Sequence, residues 1–192
     1  MANSVNNFEV NWFKGSRKYI QAADLVNAAW KQAGDVSCFD FSSRKVAEYP
    51  VCWVAAGNTV KENILATFQA KTLAGKSIDW VAVQDTTRSI DRMDDFPEEE
   101  MFAACAIQNQ QVVCPILPAF TTWEHISSLH KYLLGKIFDH PSWWFVRIEG
   151  NEKFHLPAKN ISIRYMEKKR ILYRSEILIN GENAGVVDYA MR

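Results

Sequence analysis

A cluster of carboxylates flanks a proline near the middle of the sequence, in the stretch DDFPEEEMFAACAIQ. Asp95 precedes Pro97, while Glu98, Glu99 and Glu100 follow it. Proline is favoured at the first position of a helix and acidic side chains in its first turn, so the pattern predicts a helix that begins at Pro97. These carboxylates make the stretch a candidate site. The same glutamates could equally form a solvated first turn.

A further carboxylate, Asp188, lies in the apolar ribbon AGVVDYAM near the end of the chain. A hairpin with a loop of two or four residues would place it on the face of Ala184, opposite residues such as Ser175. A carboxylate held on an apolar face could serve as a base. The alternative is that this face is solvated and that Val187 and Tyr189 point inward.

One of the four histidines, His130, falls within the apolar stripe of a predicted helix. It lies about 40° around the helix from Ile126, so we expect it to be at least partly buried. Such a histidine could act as a general base or donate a hydrogen bond to a bound carbonyl group. A buried histidine more often makes one hydrogen bond in the core, and both interpretations stay open.

No sequence motif predicts a metal ion, a cofactor or a local nucleophile. The chain lacks H-x-x-x-H, C-x-x-C and G-x-S-x-G. Gly57, Asn58 and Lys61 follow a predicted strand, where an anion could contact free amides, but the second glycine of a P-loop is missing and an ordinary turn explains them. The four cysteines lie in apolar contexts, which predicts reduced core residues of a cytoplasmic protein.

The first half of the chain alternates between helical and extended patterns. SRKYIQAADLVNAAWKQAG has an apolar stripe at helical spacing and ends at Gly34, in a position typical of a C-terminal cap. VSCFDF, YPVCWVAAG and IDWVAVQ are rich in β-branched and aromatic residues and predict strands. Thr59 and Glu62 have the S/T-x-x-E spacing of a capping box, and Ile64 and Phe68 follow at helical spacing, which predicts another helix.

The second half predicts one further helix and then an antiparallel sheet. Thr121 and Glu124 form a second S/T-x-x-E box, which opens the helix HISSLHKYLLGKIF. After His140 the runs WWFVRIE, NISIRYM, RILYRSEILI and AGVVDYAM are extended, and Asn180-Gly181 predicts a tight antiparallel hairpin. We therefore expect three or four antiparallel strands with a helix covering one face.

The F-P step, the small residues after it and the closing strands together resemble the hotdog fold of thioesterases and acyl dehydratases, over residues 79–192. In that fold a curved antiparallel sheet wraps a long helix, and thioesters bind in a tunnel at a dimer interface. The dehydratases carry G-H-F-P, whereas this chain has Asp94-Asp95-Phe96-Pro97, so Asp95 replaces the histidine, and the later P-G step is missing. The thioesterases instead use a carboxylate on or near the helix, with backbone amides at its N-terminus polarising the carbonyl group.

The resemblance implies an α+β fold, with helices packed on one face of a curved antiparallel sheet, and acyl thioester chemistry, most simply hydrolysis. Asp95 or one of the three glutamates would orient water, amides after Pro97 would hold the oxyanion, and His130 and Asp188 are further catalytic candidates. Aromatic side chains would hold an acyl chain by burial of about 0.8 kcal/mol per methylene, and basic strands would receive coenzyme phosphates. The predicted substrate contacts are Trp123, Trp143, Trp144, Tyr173 and Arg174.

Other architectures fit the same patterns. The alternation of strands and helices could form a three-layer α/β core, or a cone-shaped α+β barrel of an isomerase, a cyclase or a small-molecule binder. In such a barrel His130 and Asp188 would face one pocket and Asp95 would be remote. A protein-interaction or inhibitor domain would instead expose aromatic residues such as Trp143 and Trp144 as a patch.

The composition limits the classes of partner. The 192 residues fit one globular domain, residues 1–192, and the formal net charge of zero gives no global field that would attract nucleic acid or a membrane. Zero net charge favours self-association, and together with the resemblance it predicts a homo-oligomer that binds a small-molecule acyl substrate. Neither a signal peptide nor a membrane-spanning run is visible, which predicts a cytoplasmic location.

Overall fold

The computed structural model describes residues 8–57, 63–140 and 142–191. The chain divides into two compact units, Met1–Phe96 and Pro97–Arg192. Two compact units can still unfold as one cooperative domain, so the single domain expected from the sequence stays a prediction. Within the described residues, no helix is long and apolar enough to span a membrane.

The described part of the first unit, residues 8–57 and 63–96, contains the α-helix α1 and a small antiparallel sheet. The helix α1 spans Ala22–Ala33 and ends at Gly34, as predicted. The strands of this unit are β1 (Glu9–Val10), β2 (Trp12–Lys14), β3 (Val36–Ser43), β4 (Val51–Ala55), β5 (Ile64–Thr72), β6 (Ser77–Gln84) and β7 (Arg92–Asp94). Five of them form an antiparallel sheet in the order β1-β4-β6-β5-β3, while β2 and β7 form a separate parallel pair.

An aromatic core holds the first unit together. Phe41, Trp53 and Phe68, from three different strands, are completely buried. The Trp53 ring lies 6.3 Å from the Phe68 ring and 6.2 Å from the Phe41 ring, between centroids. Leu25 and Val26 supply the buried face of α1, so the helix covers this core through the apolar stripe that its sequence predicted.

The helix predicted from Ile64 onward is wrong, because β5 occupies Ile64–Thr72. Its first three residues, Ile64, Leu65 and Ala66, are all buried. A strand buried on both faces carries apolar residues at successive positions, and such a run also satisfies helical spacing. The capping box of Thr59 and Glu62 lies outside the described residues.

Within its described residues, the second unit contains two α-helices and a larger antiparallel sheet. The elements are α2 (Glu98–Ala104), β8 (Ala106–Gln108), β9 (Gln111–Pro115), α3 (Thr122–Phe138), β10 (Trp143–Asn151), a 3-10 turn (Glu152–His155), β11 (Asn160–Lys169), β12 (Leu172–Ile179) and β13 (Glu182–Met191). The strands follow the order β10-β13-β12-β11-β9-β8, and every neighbouring pair is antiparallel. This arrangement confirms the antiparallel sheet predicted after His140.

Two local signals are confirmed in this unit. The Thr121 hydroxyl accepts from the Glu124 amide at 3.2 Å, and the Glu124 carboxylate accepts from the Thr121 amide at 2.6 Å. This reciprocal capping box satisfies free amides at the start of α3. Asn180 and Gly181 have φ angles of 53° and 85° and form the two-residue turn between β12 and β13, which is the geometry that favours the Asn-Gly pair.

The long helix of this unit is α3, not the helix that begins at Pro97. Because α2 ends at Ala104 after seven residues and buries only Met101, the central helix predicted there is wrong. Cys105 has extended backbone angles, φ −88° and ψ 151°, and leads into β8. The 17-residue α3 packs on β9 and β11 instead, through completely buried residues such as Leu129 and Leu133.

A β-bulge sets which face of β13 points toward α3. Ile177 pairs with Gly185 but Leu178 pairs with Asn183, so Ala184 is an extra residue on β13. One extra residue moves every later side chain to the opposite face. Val187 and Tyr189 therefore point toward the helix, and the Tyr189 hydroxyl donates to the Ser127 carbonyl oxygen at 3.0 Å.

The cysteines are free thiols, but only one of them belongs to the core. Cys114 is buried, Cys52 and Cys105 are partly exposed, and Cys38 is exposed. The prediction of four core cysteines is therefore wrong for Cys38, which lies in β3 at a position with an exposed side chain.

Candidate functional site

An open groove of about 420 Å³ lies on the surface of the second unit. Helix α2 lines one part of the groove, the last two turns of α3 line the part that we call its floor, and His140 and the first residue of β10, Trp143, line the rest. A few polar groups among aromatic rings are typical of small-molecule sites. The groove is lined by Glu98, Glu99, Phe102, Lys131, Tyr132, Gly135, Lys136, His140 and Trp143.

Residue spacing along α3 explains the floor of the groove. Lys131 and Gly135 are four residues apart, as are Tyr132 and Lys136, so the two pairs lie side by side on one helix face. A β-carbon added at Gly135 would meet only the His140 carbonyl oxygen, at 3.9 Å. The space above Gly135 is therefore open, and a larger side chain at this position would project into the groove.

Two contacts attach α2 to α3. One Glu98 carboxylate oxygen accepts hydrogen bonds from the Ser128 hydroxyl at 2.6 Å and from the Lys131 ammonium at 2.7 Å. The Phe102 ring stacks on the Tyr132 ring, with centroids 4.5 Å apart and planes 7° apart. A helix as short as α2 depends on such contacts, since its own hydrogen bonds do not stabilise it in water.

His140 has a defined hydrogen-bonding arrangement. Its Nδ1 lies 2.9 Å from the Ser142 carbonyl oxygen and 3.3 Å from the Ser142 amide. We assign the proton to Nδ1 because the shorter contact joins it to an oxygen that can only accept. Nε2 is then the nitrogen able to take up a proton. The Trp143 indole donates to the His140 carbonyl oxygen at 3.0 Å and fixes the backbone beside the ring.

The charges around the groove fall into two groups. Glu98 and Lys131 neutralise each other. Among the described residues, Glu99 and Lys136 have no ion pair with each other or with another side chain, and the Lys136 ammonium lies 5.4 Å from the centroid of the Tyr132 ring. A carboxylate, an ammonium group and a phenol hydroxyl are thus available to a bound molecule.

The structure brings together three of the predicted site residues, Glu98, Glu99 and Trp143. Asp95 is exposed, in the extended segment between β7 and α2, and Glu100 is also exposed. Neither lines the groove. Three glutamates in a single turn also surround the amides that were expected to hold an oxyanion, and their charge opposes that role.

Asp188 lies on the other face of the sheet from α3. It is 2% exposed, and both of its carboxylate oxygens accept from Arg174, at 2.8 and 2.7 Å. The bulge at Ala184 places it opposite Arg174 instead of on the Ser175 face, so the predicted register is wrong. This bidentate pair holds the pKa of the Arg174 guanidinium above its ordinary value, chiefly through the hydrogen bonds to Asp188.

His130 lies in the core between α3 and the sheet. It is completely buried, and its Nε2 lies 2.8 Å from the Ser175 hydroxyl. Burial lowers the pKa of His130 to about 3, so the ring is neutral at physiological pH. His130 and Asp188 therefore do not face one pocket, which is the arrangement that the barrel alternative required.

The other predicted substrate contacts lie away from the groove. Trp123 is 3% exposed and stacks on Phe154 with centroids 4.9 Å apart, and Tyr173 is 2% exposed. Trp144 is partly exposed on β10 and pairs with Ala190 in register. The Tyr173 ring does support the groove indirectly, since it contacts Trp143 edge-on at 4.8 Å.

Sequence reasoning missed most of the groove. His140, Tyr132 and Lys136 line it, yet none of them was singled out. One signal was present, because Tyr132 and Lys136 are four residues apart on the polar side of a predicted helix and His140 follows its end. Within the described residues, no three His, Cys, Asp or Glu side chains are arranged to hold a metal ion.

No family model and no curated protein matches the sequence. Among solved structures, a tesB protein of Mycobacterium avium subspecies paratuberculosis is similar at a TM-score of 0.52, with 8% identity over 97% of this chain and 92% of that chain. The dehydratase domain of PpsC from Mycobacterium tuberculosis, in complex with C12:1-CoA, is similar at a TM-score of 0.49, with 11% identity over 91% of this chain and 85% of that chain. An acyl-ACP thioesterase from Bacteroides thetaiotaomicron has a TM-score of 0.46 and 11% identity, over 96% of each chain.

The comparison with the tesB protein concerns the fold, and it extends over nearly the whole chain instead of residues 79–192. Within each unit every described strand pairing is antiparallel except that of β2 with β7, which contradicts the three-layer α/β alternative. Each unit has a helix packed on one face of its sheet. The chain therefore has the hotdog-like α+β fold that its sequence predicted.

Proposed function

We propose that this protein hydrolyses acyl thioesters and that the reaction takes place in the groove between α2 and the end of α3. The observation that carries the proposal is a histidine, His140, whose Nδ1 proton is fixed by the Ser142 carbonyl oxygen, in a groove that also contains a carboxylate, Glu99, and aromatic walls. The hotdog-like fold supports it, since the fold resemblance implies acyl thioester chemistry.

The proposed reaction uses His140 as the base. Its Nε2 removes a proton from a water molecule, and the water oxygen attacks the thioester carbonyl carbon. The Tyr132 hydroxyl and the Lys136 ammonium are the donors near the groove that would stabilise the resulting oxyanion. The carbon–sulfur bond then breaks, the thiolate leaves with the electron pair, and the protonated His140 returns its proton to the sulfur.

The other groove residues bind and position the substrate. Phe102 and Trp143 provide apolar surface for an acyl chain. Glu98 is already engaged with Ser128 and Lys131, so its role is to hold α2 in place. Glu99 has no such partner in the part of the chain that the structure describes, and it is the carboxylate able to orient the attacking water.

The test is a thiol-release assay with a panel of coenzyme A thioesters, from acetyl to long-chain acyl groups. His140→Gln should lower kcat by about 100-fold or more with little change in KM, because a general base contributes roughly 10²- to 10⁴-fold. Glu99→Gln should have a smaller effect. His155→Gln is the matched control, since His155 is exposed in the 3-10 turn and does not line the groove.

Asp95→Asn separates the groove from the site that the family resemblance suggests. A loss of activity in Asp95→Asn with none in His140→Gln would move the chemistry to Asp95 and refute the assignment of the groove. If the wild-type protein released thiol from no thioester in the panel, the proposed hydrolysis itself would be wrong. The acyl substrate, the homo-oligomer and the cytoplasmic location stay predictions.

A further inference from the structure

Two cysteines of the second unit lie at one end of the hairpin of β8 and β9: Cys114 is in β9, and Cys105 directly precedes β8. The hairpin of β8 and β9 pairs Ala106 with Val113, and this register, continued by one residue beyond β8, would place Cys105 opposite Cys114. In a hairpin with a two-residue turn the closing pair is hydrogen-bonded and the pairs alternate from there, so this fourth pair is a non-hydrogen-bonded one. Such pairs have Cα atoms about 4.5 Å apart, which lies within the range of about 4.4–6.8 Å that a disulfide requires.

The two thiols also converge on the same atom. The Cys105 sulfur lies 2.9 Å from the Met101 carbonyl oxygen, and the Cys114 sulfur lies 3.8 Å from it. Both are free thiols, with Cys114 buried and Cys105 partly exposed. Register and side-chain direction thus bring two reduced sulfurs together.

We propose that Cys105 and Cys114 form a redox-active dithiol that closes to an intramolecular disulfide in the presence of a low-molecular-weight disulfide. This inference concerns a modification site and does not depend on the proposed hydrolysis. The site lies directly after α2, whose last residue is Ala104. Closure would therefore tie the end of α2 covalently to β9.

The reaction with a small disulfide proceeds in two exchanges. Cys105, the more exposed of the two, loses its proton and attacks one sulfur of the small disulfide, which forms a mixed disulfide and releases one small thiol. Cys114 then loses its proton and attacks the Cys105 sulfur, which releases the second small thiol. The two protein thiols are oxidised by two electrons, and the small disulfide is reduced to two thiols.

The surroundings of the pair determine its rate. Burial raises the pKa of both thiols. Thiolates, not thiols, attack disulfides, so closure should be slow at neutral pH and should accelerate as the pH rises.

Peptide mapping provides a direct test, because residues 93–131 contain no internal lysine or arginine and form one tryptic peptide with Cys105 and Cys114 but without Cys38 or Cys52. The folded protein is incubated with oxidised glutathione, then denatured, alkylated and digested. We expect the peptide to lose two hydrogens and its double alkylation to fall more than tenfold. Reduction with dithiothreitol should restore both alkyl groups.

Variants make the outcome specific to the pair. Cys114→Ala should convert the product into a glutathione adduct on Cys105, since the resolving thiol is gone. Cys38→Ser, which changes an exposed cysteine of the first unit, should leave closure unaffected. Full double alkylation after oxidation, or a lasting glutathione adduct on Cys105 in the wild-type protein, would overturn the proposal. The wild-type map decides the matter even if Cys114→Ala does not fold.

Discussion

Acidification from about pH 7.5 to pH 5 is expected to destabilise this protein through His130. Burial lowers the pKa of His130 to about 3, whereas its ordinary value is 6.5. Between those two values the unfolded chain binds a proton at this ring and the folded protein does not. The contribution of His130 to stability is therefore complete above pH 6.5 and is lost as the pH falls toward 3.

The magnitude follows from the difference between the two pKa values. At pH 5 the solution is about 1.5 pH units below the pKa of 6.5 in the unfolded state. Because each unit corresponds to about 1.4 kcal/mol, protonation of the unfolded state lowers the free energy of unfolding by about 2 kcal/mol. His125 contributes in the same direction, because burial lowers its pKa also. The wild-type protein should therefore lose at least about 2 kcal/mol over this range.

Urea unfolding followed by tryptophan fluorescence measures this loss at a series of pH values. His130→Gln keeps a polar atom near Ser175 but does not titrate, so its stability should change by about 2 kcal/mol less than that of the wild type between pH 7.5 and 5. Ser175→Ala is the matched control. It removes the 2.8 Å contact but leaves the ring buried, so it should keep the steep wild-type dependence.

Two results would refute this reasoning. If His130→Gln lost as much stability as the wild type between pH 7.5 and 5, the dependence would belong to other groups. If the His130 ring resonances titrated near pH 6.5 in the folded protein, the burial that lowers its pKa would be wrong, whatever the unfolding data showed.

The remaining predictions concern the close packing of two backbone segments at Gly185, the glycine in the floor of the groove, and the ion pair of Arg174 with Asp188. Gly185→Ala should destabilise the protein by about 3 kcal/mol or more, measured by urea unfolding, since the new β-carbon would lie 2.0 Å from the Glu149 carbonyl oxygen. Gly135→Ala should be neutral or stabilising by up to about 1 kcal/mol, because this helical glycine has only an ordinary contact. Arg174→Met should cost about 2–4 kcal/mol by leaving the buried Asp188 carboxylate without its partner, and adding Asp188→Asn should recover much of that loss in a double-mutant cycle.

Local signals in the sequence predicted the elements whose ends are set by a few neighbouring residues. The capping box of Thr121 and Glu124 fixed the start of α3, and Asn180-Gly181 fixed the last hairpin. Both depend on hydrogen bonds or backbone angles within four residues, so the sequence is sufficient to recognise them. The antiparallel character of the last strands followed from the successive extended runs after His140 and from the Asn-Gly turn between two of them.

Features that depend on distant contacts were not predictable in the same way. The small residues of α2 do not determine where the helix ends. It ends at Ala104 because the chain continues into β8, which pairs with the distant strand β9. The groove depends on how α2 attaches to α3 through Glu98, which no local pattern reveals. The face of Asp188 was reversed by one extra residue on β13. Gly185, inside a strand pattern, was the available signal, since such glycines often mark a bulge or a close backbone approach.

The outer border of the second unit's sheet is formed by β8, only three residues long and exposed at every one of them. It ends at a sharp turn where Asn109 and Gln110 both have positive φ angles, of 50° and 60°. A second polypeptide chain that docked along this border could form only a few backbone hydrogen bonds with it. Fibrillar growth by successive accretion of strands is thus discouraged at this margin, although the protein has no net charge to keep its copies apart.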